Sequence, residues 1–261
     1  MRYFLCLSYD GTDFCGWQIQ PSSPSVQACL EATLSRLLNR PVAVTGAGRT
    51  DTGVHAVNYV AHFDWDGALP FEASDFIYKL NAMLPHGVAI LSVSPVADDL
   101  HARFSARRRE YTYFIHRQKD PFIRSYSWLC GYPALDFDAM NEACQYLLGT
   151  HDFSCFEKTG GDNKTSICTV FEAHWQPYVP SHIQIMGLAG IQPACPNYWY
   201  FRIAADRFLR NMVRATVGSL IEVGRGKHAP EWIAELIKNG SRGDAGESVP
   251  GNALFLNKVT Y

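Results

Sequence analysis

The alternation of strand-like and helix-like patterns over residues 3–96 restricts the fold more than any other feature of this chain. "YFLCLSY" (3–9) is rich in β-formers and stops at Asp10-Gly11, a turn signal. Val26, Cys29, Leu30, Thr33, Leu34, Leu37 and Leu38 then recur at three- and four-residue spacing between Ser23-Pro24 and Pro41, which predicts an amphipathic helix. "PVAVT" (41–45) predicts a short strand, and "VNYVAHFDW" (57–65) puts Val57, Tyr59, Ala61 and Phe63 on one strand face. Phe76, Ile77, Leu80, Met83 and Leu84 mark a second helix that ends before Pro85, and "VAILSVSPV" (88–96) supplies another strand. The resulting order, β-α-β-β-α-β, is the ferredoxin-like arrangement.

The pattern then returns. "EYTYFIH" (110–116) reads as a strand, Met140, Ala143, Cys144, Leu147 and Leu148 as a helix, and "CTVFEAHW" (168–175) and "YWYFRIA" (198–204) as strands. Helices around 208–223 and 230–237 and a last strand in "ALFLNKVTY" (253–261) complete it. We therefore expect an α+β chain of two similar halves, 1–105 and 106–261, repeated in topology without a sequence repeat. The segment 178–197, long and bearing Pro and Gly, has no assigned structure and reads as an insertion.

Composition narrows the function classes. A net charge of −2 exerts no overall pull toward nucleic acid, but the arginines are unevenly distributed. Arg103, Arg107, Arg108 and Arg109 cluster, and Arg202, Arg207, Arg210, Arg214, Arg225 and Lys227 gather later, so a local basic surface is compatible with the sum. Eight scattered cysteines contain no CxxC pair, which removes zinc-ribbon and thioredoxin-type sites and fits reduced thiols in a cytoplasmic protein. The N-terminus turns polar by Ser8, too early for a signal peptide, and no run approaches the roughly 20 apolar residues of a membrane span.

One short run concentrates chemistry: "GAGRTDTGVH" (46–55) packs three glycines around Arg49 and Asp51. Glycines allow positive φ and close approach of a bound group, so this is a shaped loop. The chain has no HExxH, GxSxG, Walker loop or GxGxxG, which leaves metal, serine-hydrolase and nucleotide chemistry without their usual signs; no metal or cofactor is expected. His55 and His101 lack metal-ligand spacing and read as structural. Asp51-Thr52-Gly53 is also the triplet of aspartic proteases, but those enzymes need two carboxylates sharing a proton. Arg49 would instead hold Asp51 ionised, and no second Asp-Thr-Gly is present.

The chain resembles the tRNA pseudouridine synthase A family. The likeness runs in order through "YDGTDFCGWQIQ" (9–20), "SVQ" (25–27), "GRTDTGVHA" (48–56), "NAMLP" (81–85), "FSARRREYTY" (104–113) and "FLRNMVRATVGSLIEVG" (208–224). It departs from the family pattern in the length of 178–197 and in "VPGNALFLNKV" (249–259), both of which read as lying away from the motifs. The resemblance implies the pseudouridine synthase fold: two ferredoxin-like halves sharing a mostly antiparallel mixed sheet, with helices on one side and a central cleft. It also implies a homodimer, no cofactor, and a tRNA anticodon stem-loop as substrate, with uridines 38, 39 and 40 converted to pseudouridine. By the same resemblance Asp51 is the nucleophile, Arg49 and Arg214 keep it anionic and oriented, and Tyr111 packs on the flipped base and helps remove its C5 proton. Arg107, Arg108, Arg109, Arg207 and Arg210 are the expected phosphate contacts. A noncatalytic RNA-binding module of the same fold and the aspartic protease are the alternatives.

Overall fold

The computed structural model describes residues 1–158, 160, 164–186 and 196–261. The part of the expected insertion at 187–195, with Cys195, lies outside the described residues. Two compact units are present, one formed by 1–109 with 255–261 and the other by 110–254.

The first unit contains β1 (Arg2–Tyr9), α1 (Val26–Leu37), β2 (Thr45–Gly46), β3 (His55–Asp64), α2 (Ala73–Met83) and β4 (Val88–Val96). That is the element order read from the sequence. Strand β1 lies between β3 and β4, antiparallel to both, and its residues alternate between half-exposed and buried. Tyr3, Leu5, Leu7 and Tyr9 thus form a core face with Leu30 and Leu34 of α1, Tyr59, Ala61 and Phe63 of β3, and Phe76 and Leu80 of α2. Ser25 caps α1 by accepting the Ala28 N–H at 3.3 Å, the role its place before an apolar periodic run suggests.

The expected strand at 41–45 shrinks to two residues, β2, because the chain before it is held by helix side chains. The Val42 N–H donates to Ser35 Oγ and the Val44 N–H to Glu31 Oε1, both at 2.9 Å, so neither joins a ladder. Strand β2 pairs with β3 only at His62 and Ala61. That leaves the start of β3 open on the same chain, and there β10 (Leu254–Thr260) pairs in parallel, Phe255 opposite His55 and Leu256 opposite Ala56. Residues 255–261, grouped with the second half in the sequence expectation, therefore belong to the first unit.

The second unit has β5 (Arg108–His116), β6 (Trp128–Leu129), α3 (Phe137–Gln145), β7 (Gly149–Asp152), β8 (Ile167–Pro177), α4 (Ser181–Met186), β9 (Tyr198–Ala205), α5 (Met212–Gly224) and α6 (Trp232–Asn239). Strands run in the order β5-β9-β8-β7, with β6 parallel to β5. Helix α3 packs on β8 and α5, and α6 packs on β7. Helix α5 is buried almost throughout, including Ala215, Thr216 and Ser219, and forms the centre of this unit's core. Among the described residues no helix is long and apolar enough to cross a membrane, and no cluster of His, Cys, Asp or Glu could hold a metal ion.

Candidate active site

The Gly-rich loop at 46–55 is built against residues 9–17, and Gly46 and Gly53 have separate reasons within it. A Cβ on Gly46 would lie 2.1 Å from the Tyr59 hydroxyl and 2.5 Å from the Trp17 indole, so only a hydrogen fits. Those two rings stack at 4.2 Å and are both buried. The Tyr59 hydroxyl donates to the Gly48 carbonyl, fixing the loop just before Arg49. The Trp17 backbone N–H donates to the Thr50 carbonyl at 3.3 Å, and the Thr50 hydroxyl meets that of Tyr9 at 2.9 Å. Gly16, at φ +90°, lies under the same Thr50 carbonyl, where a Cβ would come within 2.2 Å.

Asp51 opens a turn that the Val54 N–H closes onto its carbonyl at 3.1 Å, with Gly53 at φ +76° inside it. The Gly53 N–H donates to the Phe14 carbonyl at 3.3 Å. Gly11 lies beneath the end of the turn, where a Cβ would sit 2.2 Å from the Val54 carbonyl oxygen. His55 is buried; its Nδ1 lies 3.0 Å from the Gly11 nitrogen and 3.1 Å from Asp10 Oδ1, and its ring stacks on Phe255 at 4.5 Å. It is therefore structural, as its spacing suggested. The outcome is a backbone pinned on both sides of Asp51, whose carboxylate is half-buried, with Arg49 exposed beside it. Preorganisation of this kind suits a group that must meet a reacting atom in one geometry.

Tyr111 and Arg214 belong to the second unit. Tyr111 is half-buried on β5 and meets Phe208 edge-on at 5.1 Å. Tyr113, two residues on and hence on the same strand face, is fully buried; its hydroxyl donates to the Pro250 carbonyl at 3.0 Å. Burial pushes its phenol well above the usual tyrosine range, with the charge of Arg214 opposing the rise. Of the two tyrosines, Tyr111 is the accessible one.

Arg214 is oriented by the chain at 246–250, which lies along α5. Its Nε donates to the Val249 carbonyl at 2.7 Å, and the Val249 N–H returns to the Arg214 carbonyl at 3.3 Å. The Ser219 hydroxyl donates to Ala215 and accepts from the Gly246 N–H at 2.9 Å, while Arg242 reaches the Gly246 carbonyl and the Ser248 hydroxyl. Gly218 makes this closeness feasible, since a Cβ there would stand 1.8 Å from the Glu247 carbonyl oxygen. Asn211, at φ 65°, precedes the helix and donates to Ser248. The start of "VPGNALFLNKV", which read as lying away from the motifs, instead holds both Arg214 and Tyr113.

The expected phosphate-binding arginines are not equivalent. Arg107 and Arg210 are exposed, and Arg108 and Arg207 are half-buried. Arg109 is turned inward: its guanidinium donates to the carbonyls of Ala47 at 3.1 Å, Arg103 at 2.6 Å and Ala106 at 3.1 Å. Sequence reasoning also missed Tyr9, Trp17 and Tyr59, which carry the loop. The one sequence signal for Tyr9 and Trp17 is that "YDGTDFCGWQIQ" is long and glycine-punctuated without chemistry of its own, and for Tyr59 it is only a place on a strand face.

The family model described as tRNA pseudouridine synthase matches residues 5–105 and 143–261, which include Asp51 and Arg214 but not Tyr111. Among relatives, the tRNA pseudouridine synthase A of Bacteroides thetaiotaomicron is 46% identical over 260 residues, spanning 100% of this chain and 90% of that protein. Those of Bacteroides fragilis and Porphyromonas gingivalis are 45% and 43% identical, spanning all of this chain and 96% and 97% of their own lengths. The mixed α+β architecture, the glycine-shaped aspartate loop and these matches define an isomerase with the pseudouridine synthase fold. The chain belongs to the tRNA pseudouridine synthase family. The noncatalytic and protease readings fall with that assignment.

Proposed function

We propose that this enzyme converts uridine to pseudouridine in the anticodon stem-loop of tRNAs, at positions 38, 39 and 40, with Asp51 as the nucleophile. The observation that carries the reading is the Asp51 loop, a half-buried carboxylate on a backbone pinned by Tyr9, Phe14, Trp17 and Tyr59. The reaction is an isomerisation. The carboxylate adds to ribose C1′ or to uracil C6, the N1–C1′ bond breaks, the base turns, C5 bonds to C1′, the carboxylate leaves the carbon it had joined, the C5 proton departs to restore the ring, and N1 takes up a proton. Nothing is oxidised or reduced, and every atom except the exchanged protons stays in the product.

In this reading Arg49 and Arg214 favour the anionic carboxylate, and the Val249 carbonyl fixes the direction of the Arg214 fork. Tyr111 stacks on the extruded base and assists removal of the C5 proton, for which an accessible phenol is required. Arg107, Arg108, Arg207 and Arg210 contact phosphates, and the enzyme works as a homodimer in the cytoplasm. Arg109 leaves this set for the role argued below.

The experiment is incubation of the purified protein with tRNA transcripts carrying uridine at those positions, followed by carbodiimide-based mapping of pseudouridine. Pseudouridine at 38–40 supports the proposal. Modification confined to another arm of the tRNA would refute the substrate assignment.

A further inference from the structure

Residues 101–106 form a loop whose backbone is tied down almost group by group. The Ala102 N–H donates to buried His62 Nδ1 at 3.1 Å, and the N–H groups of Arg103 and Phe104 converge on His101 Nδ1 at 3.1 and 3.2 Å. The His101 N–H donates to Ser105 Oγ at 2.9 Å, and the Ser105 N–H to the His101 carbonyl at 3.0 Å. On the acceptor side, the Tyr261 hydroxyl donates to the Ala102 carbonyl at 2.7 Å, and Arg109 takes the carbonyls of Arg103 and Ala106. The same Arg109 guanidinium binds the Ala47 carbonyl. One planar fork therefore fixes the spacing between this loop and the loop that carries Asp51, four residues beyond Ala47.

What so much order supports is an outward-facing pair. Phe104 is 76% exposed, its ring resting on His101 at 4.4 Å, and the exposed Arg103 guanidinium lies 5.6 Å from the ring. Single exposed apolar side chains are ordinary on protein surfaces. This one differs in standing on a loop fixed by more than its own packing, tied through Arg109 to the aspartate loop, with the Arg103 guanidinium beside the ring. An aromatic face with a guanidinium beside it is a stacking platform for a nucleobase with its phosphate.

We propose that Phe104, with Arg103, receives a nucleotide of the substrate RNA next to the target uridine, and that Arg109 is the positioning residue that sets this platform relative to Asp51. The proposal rests on the reading of the enzyme as one that acts on an RNA hairpin. A base on the platform enters the site in a fixed register, so Phe104 contributes to affinity and substrate choice, not to bond making.

The test compares the full-length wild type with Phe104→Leu, which keeps apolar bulk without a ring, and Phe104→Trp, which keeps a ring. The probe is a fluorescently labelled RNA hairpin of anticodon stem-loop sequence. Anisotropy gives Kd, and tritium release from hairpin labelled at uracil C5 gives kcat and KM. Phe104→Leu should raise Kd and KM on the order of tenfold, with kcat moved far less, and Phe104→Trp should retain most of the affinity. Arg109→Lys should also weaken binding, but by much less when combined with Phe104→Leu, since both act through one platform. The wild type, Phe104→Leu and Phe104→Trp should unfold at similar temperatures, because Phe104 is exposed.

Wild-type affinity in Phe104→Leu, or equal losses in the leucine and tryptophan variants, would overturn the platform. Additive losses for Arg109→Lys and Phe104→Leu would overturn the positioning role. If the wild type binds the hairpin yet releases no tritium, the functional reading fails, while the affinity comparison still decides this proposal.

Discussion

Gly218→Ala sets two effects of opposite sign against each other. Replacing glycine inside a helix by alanine ordinarily stabilises by about 1 kcal/mol. At Gly218, however, the new Cβ would stand 1.8 Å from the Glu247 carbonyl oxygen and 2.9 Å from its carbon, both backbone atoms. Relief to an ordinary contact of about 3.5 Å requires the 246–250 segment to move by roughly 1.7 Å. That movement strains the Gly246–Ser219, Arg214–Val249 and Tyr113–Pro250 hydrogen bonds, each contributing about 1 kcal/mol, and adds an overpacking cost of about 1–3 kcal/mol. The contacts win, and the net loss should be about 3–5 kcal/mol, or roughly 6–15 °C in Tm for a chain of this size. Because Val249 orients Arg214, activity at a temperature where the variant is folded should fall as well. Gly243→Ala, where a Cβ meets only a side-chain oxygen at 3.7 Å, is the control and should be neutral. Denaturant unfolding of the three proteins decides the matter. A Gly218→Ala variant as stable as the wild type, or more so, would refute the account of how α5 and the 246–250 segment fit.

Three further expectations follow from single contacts. In the aspartate loop, Gly46→Ala should lower Tm clearly, because its Cβ meets the Tyr59 hydroxyl and Trp17, whereas Gly48→Ala, with open space around it, should not. Burial first, then Arg2 and His101, hold buried His62 down to about 4, and its Nδ1 accepts the Ala102 N–H, so protonation breaks that bond. The unfolded chain binds this proton more readily, so stability should be complete above about pH 6.5 and fall on the order of 3 kcal/mol toward pH 4, a slope that His62→Asn should remove in urea titrations. Tyr111→Phe keeps the ring facing Phe208 and removes the hydroxyl; turnover should drop roughly 10²–10⁴-fold with RNA affinity retained, and an unchanged kcat would remove the phenol from proton transfer.

Much of the architecture was legible because it rests on local periodicity. Helix α1 follows from apolar spacing and a serine cap, and β1 and β3 from alternation ending at turns. The misreadings have non-local causes. Strand β2 is short because Glu31 and Ser35 capture the backbone ahead of it, and the exposed edge strand β7 ("GTHD") has no apolar pattern to reveal it. Helix α5 starts at Met212 and not near Phe208, since Asn211 is left-handed. Asp51, Tyr111 and Arg214 could be named as candidates from motifs, but the residues that hold each of them could not. Tyr59 under Gly48, Val249 beside Arg214 and Arg109 bridging two loops are meetings of residues distant in the chain, and a run of three arginines gives no sign that one of them turns inward.

If the carboxylate of Asp51 makes the bond, Asp51→Asn tests it with the least disturbance, since the amide keeps the shape and removes the nucleophile. Wild type and variant would be compared on the same tRNA under single-turnover conditions with enzyme in excess, following both pseudouridine formation and tritium release from uracil C5. The asparagine variant should bind the tRNA with near wild-type affinity and unfold at the same temperature, yet form no pseudouridine and release no tritium. Substantial pseudouridine formation by that variant would contradict it.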